Sequence, residues 1–419
     1  MSKRDLLKIL FLVVLVLAIG LSPRFSVGRI ASGKLIDLRI EDFVLLFFGL
    51  FWLIKILASR SVKFKKPPLF SPILLWLGIG LFSILINLLF MNVSISRSFF
   101  YFLKEIEYFF LFFYVFYHIK SIDSAKIILK LWIFIGFIHA AWIIIQLISG
   151  LKITYYYGPT TFIEPGGTSP GGGFLLIIFI FLFNVLLYYY LSLKISILKK
   201  AAIFILIVSP IIGIFTSGSR GIFIAFALAF PLSLFLYSVR EKLFLKPILV
   251  LLLTVIFVFG VFSLSKSLIH PRLFDISSIK RNLDVQYSLS RPSIWIQQLS
   301  EAYKYPLFLF FGYGKAVIFN GVGESHSQYV RNFVETGIFG IFIFLFLLYS
   351  IIKKSLNSFF KNKDPLLIGV AAGLLCSTIT MMTISVFSEG FIVVKINEAY
   401  WFFAALTFAV ISLDSKTIL

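Results

Sequence analysis

The 419-residue chain has a single cysteine, Cys376, set in the middle of an apolar run. With no second thiol, an intrachain disulfide is excluded and the redox compartment leaves no trace in the sequence. Charge is also scarce: 14% of residues are Asp, Glu, Lys or Arg, with 18 acidic residues against 39 basic ones. Soluble domains carry about 25% charged residues, so a water-solvated globule is excluded. A Walker loop, an HExxH helix, a GxSxG elbow and a Cys/His cluster are all missing, which removes nucleotide-driven, zinc-dependent and serine-hydrolase chemistry. The acidic residues of the longest loop (Asp275, Asp284, Glu301, Glu324, Glu335) are too scattered to predict a metal site, and no cofactor is implied. There is no internal repeat and no pair of broken helices in matching halves, which argues against a secondary transporter.

What fills the chain instead is apolar. Hydrophobic residues make up 60%, phenylalanine alone numbers 52, and the mean hydropathy is +1.01. A helix crosses the hydrocarbon core in about 20 apolar residues. Twelve such stretches lie near 6–22, 42–58, 68–90, 99–117, 127–149, 172–191, 201–217, 221–238, 246–265, 337–352, 365–385 and 397–413. They predict an all-α, polytopic membrane protein of about twelve transmembrane helices, forming a single integral membrane domain over residues 1–419.

The opening "MSKRDLLK" is positive, but no small-residue cleavage site follows its apolar run, so the first stretch reads as a retained helix. With the N-terminus inside, the inner gaps are the richer in Lys and Arg, "KILASRSVKFKKPP" and "IIKKSLNSFFKNKD" above all. The positive-inside rule then puts both termini in the cytoplasm. The net charge of +21 is explained by these loops meeting anionic lipid, so membrane lipids are implied as partners and nucleic acid is not.

Two outer segments are longer than a turn: a Gly/Pro-rich one at 150–173, and residues 266–336 between the ninth and tenth spans. In the second, "RPSIWIQQLSEAYKYP" spaces Ile294, Trp295, Leu299 and Tyr303 as an amphipathic helix, with Pro292 suited to its first turn. "LFLFFGYGKAVIFNGVGE" is glycine-broken, and "SHSQYVRNFVETG" resumes a helical pattern that runs into the tenth span. The whole 266–336 segment reads as a large extracytoplasmic helical loop folded back on the outer membrane face.

Arg220 interrupts "IFTSGSRGIFIAFALAF" where the seventh span ends outside and the eighth begins. Ser217 or Ser219 is placed to cap that helix, whose oriented N–H groups and dipole, with the guanidinium, make an anion site suited to phosphate. Arg291 opens the loop helix, a position that fits either a second ligand of the same anion site or a solvated surface charge, and His326 begins another outer helix, where the dipole favours a neutral ring. His118, His139 and His270 have no companions that suggest metal or acid–base work. In the fourth span, "YFLKEIEYFF" puts Lys104, Glu105 and Glu107 about two turns below the outer surface, with Lys104 and Glu107 spaced to pair on one face. Function and structural ion pairing both fit these three.

Taken together, "TSGSRGIFIA", "RPSIWIQQLSEAYKYPLFLFFGYGKAV" and "ESHSQYVRNFVETGIFGIFIFL", in that order over roughly 205–350, resemble the O-antigen ligase and polymerase family. The resemblance implies a glycosyltransferase of the bacterial inner membrane, with its site facing the periplasm. It would need neither metal nor cofactor and would act in lipopolysaccharide biosynthesis. The donor would be a glycan on undecaprenyl diphosphate. The acceptor would be lipid A–core for a ligase, or another glycan for a polymerase, which a chain-length regulator would accompany. Arg220 and Arg291 match the family's diphosphate-binding arginines and His326 the base; Ser219, beside Arg220, is expected to touch the diphosphate as well. Ser327 follows that histidine where many members have asparagine. A flippase for the same lipid-linked glycan is the alternative of another class.

Overall fold

The computed structural model describes residues 3–22, 24–29, 35–58, 66–90, 95–149, 168–217, 219–242, 290–317, 319, 322 and 324–417, with single positions at 248, 249, 252 and 256. Its helices are α1 (Lys3–Leu21), α2 (Ile40–Ala58), α3 (Phe70–Phe90), α4 (Ile95–His118), α5 (Ile122–Ser149), α6 (Thr168–Val185), α7 (Ile197–Val208), α8 (Ile211–Thr216) and α9 (Arg220–Glu241). After these come α10 (Arg291–Tyr303), α11 (Pro306–Phe311), α12 (Gln328–Lys361), α13 (Pro365–Phe387) and α14 (Val394–Thr417). Among the described residues, eight helical stretches are long and apolar enough to cross a membrane. The apolar part of α1 is shorter, and α4 carries Arg97, Lys104, Glu105 and Glu107 along its length. Apart from the four single positions, the ninth predicted span, 246–265, lies outside the described residues, as do residues 150–167 and 266–289 of the two outer segments.

The chain is not purely helical. Between α1 and α2, β1 (Arg24–Arg29) and β2 (Leu35–Arg39) form an antiparallel hairpin that pairs Arg24 with Arg39. The hairpin is an addition to an otherwise all-helical architecture, as expected of the chain. Within "LIDLR", residues 36–39 alternate apolar and polar with period two, a signal too short to register in a search for 20-residue runs.

Burial sorts the helices. Apolar side chains such as Phe47, Leu89, Leu228 and Phe342 are exposed along α2, α3, α9 and α12, as a lipid-facing surface requires. Residues 171–188 are buried without exception, which makes α6 the central post of the bundle. Its glycines permit this, since a Cβ on Gly173 would stand 2.4 Å from Ile396 Cδ1 of α14. Further along, Phe181 stacks on Phe403 with ring centroids 4.1 Å apart, and Asn184 Nδ2 donates to Ser233 Oγ of α9 at 2.9 Å. Beyond Val185 the helix widens into a π turn, Leu186–Tyr190.

The seventh predicted span is two helices, α7 and α8, broken at Ser209–Pro210 because proline offers no N–H to the preceding turn. Within the described part of the loop 266–336, α10 is helical as the spacing predicts, α11 is a short helix where the sequence predicts irregular backbone, and the chain is irregular after it. Gly312 and Gly314 take φ of 77° and 86°. Gly337, φ 67°, breaks α12 a few turns after it begins.

Candidate functional site

Arg220 is the first residue of α9, and Ser219 occupies the N-cap position with φ −90° and ψ 110°. The Ser219 side chain does not cap the helix, and its N–H donates to Ser217 Oγ at 3.3 Å. Arg220 is half-buried. Arg291 is likewise the first residue of α10, behind a true cap: Ser290 Oγ accepts from the N–H of Ser293 at 3.4 Å. Both arginines therefore stand at helix N-termini, as the sequence predicts.

His326 differs from expectation in one respect. It does not begin α12; Ser327 holds the N-cap position and Gln328 is the first helical residue. His326 is exposed and adopts φ 48°, the left-handed region that a non-glycine residue avoids. Its neighbours hold it there. Ser325 is buried, its carbonyl accepting from Trp295 Nε1 at 2.6 Å and its Oγ lying 3.4 Å from Glu389 Oε1. Ser327, also buried, donates from Oγ to the Ser385 carbonyl at 3.4 Å. Strain of this kind persists only where the surroundings over-determine it.

These contacts bring the three predicted elements to one end of the bundle. A Cβ on Gly221, next to Arg220, would stand 2.8 Å from the Cβ of Phe387, the last residue of α13. Ser327 reaches Ser385 two residues earlier, and Tyr329 Oη donates to the Met382 carbonyl at 3.0 Å. Trp295, one turn after Arg291, is bonded to Ser325 beside His326. The C-terminal end of α13 is thus shared by the start of α9 and the start of α12, with α10 attached through Trp295.

Sequence reasoning missed the ion network alongside. Arg331 donates from Nε to Glu335 and from Nη1 to Glu389, both at 2.6 Å, with its guanidinium 5.2 Å from the Tyr101 ring centroid. Lys315 is almost fully buried; its ammonium donates to Glu105 Oε1 at 2.7 Å and lies 4.3 Å from the Trp76 ring. The GYGKA turn that carries it is stitched to the bundle. Ser98 Oγ donates to the Lys315 carbonyl at 2.6 Å, the Gly314 N–H to Ser83 Oγ at 2.9 Å, and the Ala316 N–H to Glu335 Oε1 at 2.8 Å. Burial lifts the Tyr313 phenol to about 12, keeping it a donor to the Glu301 carbonyl at 2.8 Å. A small cleft of ≈ 30 Å³ opens next to this network, with Arg97, Gln298, Ser325, Arg331, Glu335 and Glu389 among its walls. The only hint in the sequence was a lysine inside a glycine-broken apolar patch.

Of the charges flagged in the fourth span, Glu105 belongs to this network. Lys104 turns away, donating to Asp42 Oδ1 at 2.6 Å and Glu107 Oε2 at 2.9 Å. The expected pairing with Glu107 holds, and Asp42 joins it from the first turn of α2. Among the described residues, Asp42, Glu107 and Glu398 bring carboxylate oxygens within 4.8 Å of one another. The acidic residues that the sequence weighed for a metal were those of the long loop.

Compared with known protein families, residues 201–345 match the model described as O-antigen ligase. That stretch runs from α7 into α12 and includes Arg220, Arg291 and His326. Comparison with curated proteins finds no match for the chain.

Proposed function

We propose, on the premise that residues 201–345 belong to the O-antigen ligase family, that this multi-pass membrane protein transfers a glycan from an undecaprenyl diphosphate carrier to a sugar hydroxyl. In this reading the site faces the periplasm from the inner membrane, both termini are cytoplasmic, and the acceptor is lipid A–core. Arg220 and Arg291, each at a helix N-terminus, hold the diphosphate, and Ser219 contributes at the α9 end. The acceptor oxygen attacks the anomeric carbon and gives its proton to His326, while the bond from that carbon to the phosphate oxygen breaks. The bond's electron pair leaves on undecaprenyl diphosphate, whose growing charge the arginines stabilise. The chemistry asks for no metal and no nucleotide.

The observation that supports this reading is the meeting of the three elements at the end of α13, through Gly221–Phe387, Ser327–Ser385 and Trp295–Ser325. A phosphate clamp and a base from distant parts of the sequence are of use only if they share one place. The test is a purified-protein assay with a lipid-linked diphosphate glycan and lipid A–core. A new glycosidic bond with release of undecaprenyl diphosphate is expected. Elongation of the donor glycan in place of the core would make the protein a polymerase, and movement across a bilayer with no new bond would make it a transporter and overturn the proposal.

A further inference from the structure

A second face of α4 carries a partly buried charge cluster that the transfer reaction does not use. Glu107 projects there from α4, Asp42 from the start of α2 and Glu398 from the start of α14, with carboxylate oxygens within 4.8 Å of one another. Lys104 is bonded to Asp42 and to Glu107. Glu41 is paired with Lys395, whose ammonium also donates to the Ile19 carbonyl at 2.9 Å.

Glu398 stands apart from these pairs. It is 0% exposed, neither of its oxygens accepts a hydrogen bond, and the Lys395 ammonium is 3.8 Å away. Glu107 Oε1 is a third buried oxygen without a hydrogen bond. A charge buried in this way is costly unless paired, and at membrane depth it marks an ion site or a proton site.

Counting charges narrows the choice. With every group ionised, four carboxylates (Glu41, Asp42, Glu107, Glu398) face the Lys104 and Lys395 ammonium groups and Arg39, whose backbone N–H donates to Asp42 Oδ2 at 2.9 Å, which leaves one negative charge over. A divalent ion would overshoot. A proton on Glu398 would balance the charge, but one O–H and its acceptor satisfy only two of the three bare oxygens. A single-charged metal ion with oxygen ligands satisfies all three and balances the charge as well.

We propose that Asp42, Glu107 and Glu398 hold one monovalent metal cation of the sodium type, which ties the starts of α2 and α14 to α4. The site is structural and does not depend on the transfer reading.

The test uses the purified full-length protein in lipid nanodiscs, moved from choline chloride into sodium chloride at equal ionic strength. About one ²²Na⁺ per chain should be retained saturably, with the thermal midpoint about 2–4 °C higher at saturating sodium. Glu398→Gln removes the surplus charge and should lose both the retained ion and the sodium-dependent rise. Asp42→Asn, which leaves the orphaned glutamate in place, should weaken both and serves if the first variant does not fold. The proposal is overturned if no sodium is retained, or if Ca²⁺ or Mg²⁺ alone raises the midpoint. It is equally overturned if only acidification raises it, which would make the site a proton site, or if both variants bind sodium as the wild type does.

Discussion

Trp295 Nε1 donates to the carbonyl of Ser325 at 2.6 Å, which fastens the helix opened by Arg291 to the backbone beside His326. One indole N–H therefore sets the relative position of a proposed phosphate ligand and a proposed base. Trp295→Phe keeps most of the ring's bulk and removes the donor. The hydrogen bond itself contributes about 1 kcal/mol, but misplacing a reacting group costs far more in rate than in stability. Turnover should fall about tenfold or more while the thermal midpoint moves by only a few degrees. Unchanged turnover would mean that α10 is positioned by other contacts.

Arg220 is half-buried at the first position of α9, at a helix end, so its loss should leave the protein folded. Arg220→Ala should abolish glycan transfer. Arg220→Lys should also be strongly impaired, because an ammonium cannot make the two-pronged contact of a guanidinium with phosphate. Radiolabelled donor incubated with each purified variant reads this directly. Near wild-type product from both would remove Arg220 from the diphosphate site.

Much of this arrangement was legible in the sequence. Apolar length located every described membrane helix, and the Ile294–Trp295–Leu299–Tyr303 spacing with Pro292 located α10 to within a residue at its start. What stayed hidden depends on contacts between distant residues. Lys315 meets Glu105 across 210 positions and Lys395 meets Glu41 across 354, so neither pair leaves a local pattern. The left-handed backbone at His326 is imposed by Ser325 and Ser327 through their partners Trp295, Glu389 and Ser385, and a histidine codon carries no sign of it. The β1–β2 hairpin escaped because its strands are shorter than the span length that hydropathy detects.

Gly337 allows the irregular turn and the start of α12 to pack backbone to backbone. Its φ is 67°, and a Cβ there would stand 2.3 Å from the carbonyl carbon of Phe310. The left-handed conformation alone costs an alanine about 1–2 kcal/mol, and the backbone it would strike cannot rotate away. Gly337→Ala should therefore lower the thermal midpoint by about 5 °C or more, or abolish recovery of folded protein. Gly78, in α3, has nothing within 4 Å of its Cβ position, so Gly78→Ala should leave the midpoint unchanged or raise it slightly. Fluorescence-detected size exclusion after heating compares the two. Equal behaviour would show that the close approach at Gly337 is not a determinant of stability.

His326 can be tested for its chemistry and its backbone separately, because its φ of 48° gives the two roles opposite signatures. His326→Ala removes the ring and keeps the strain. His326→Gly removes the ring and relieves a strain of about 1–2 kcal/mol, so this variant should be the more stable of the two. If the ring is the general base, both variants should lose about 10²–10⁴-fold in turnover, whatever their stability. Donor should still bind both, since Arg220 and Arg291 remain to hold the diphosphate. If the residue only shapes the loop, turnover per folded molecule should be close to wild type in the glycine variant. Donor affinity, turnover and thermal midpoint measured on the same preparations therefore decide the point: a fast glycine variant, or one that has lost donor binding, would take His326 out of the base role.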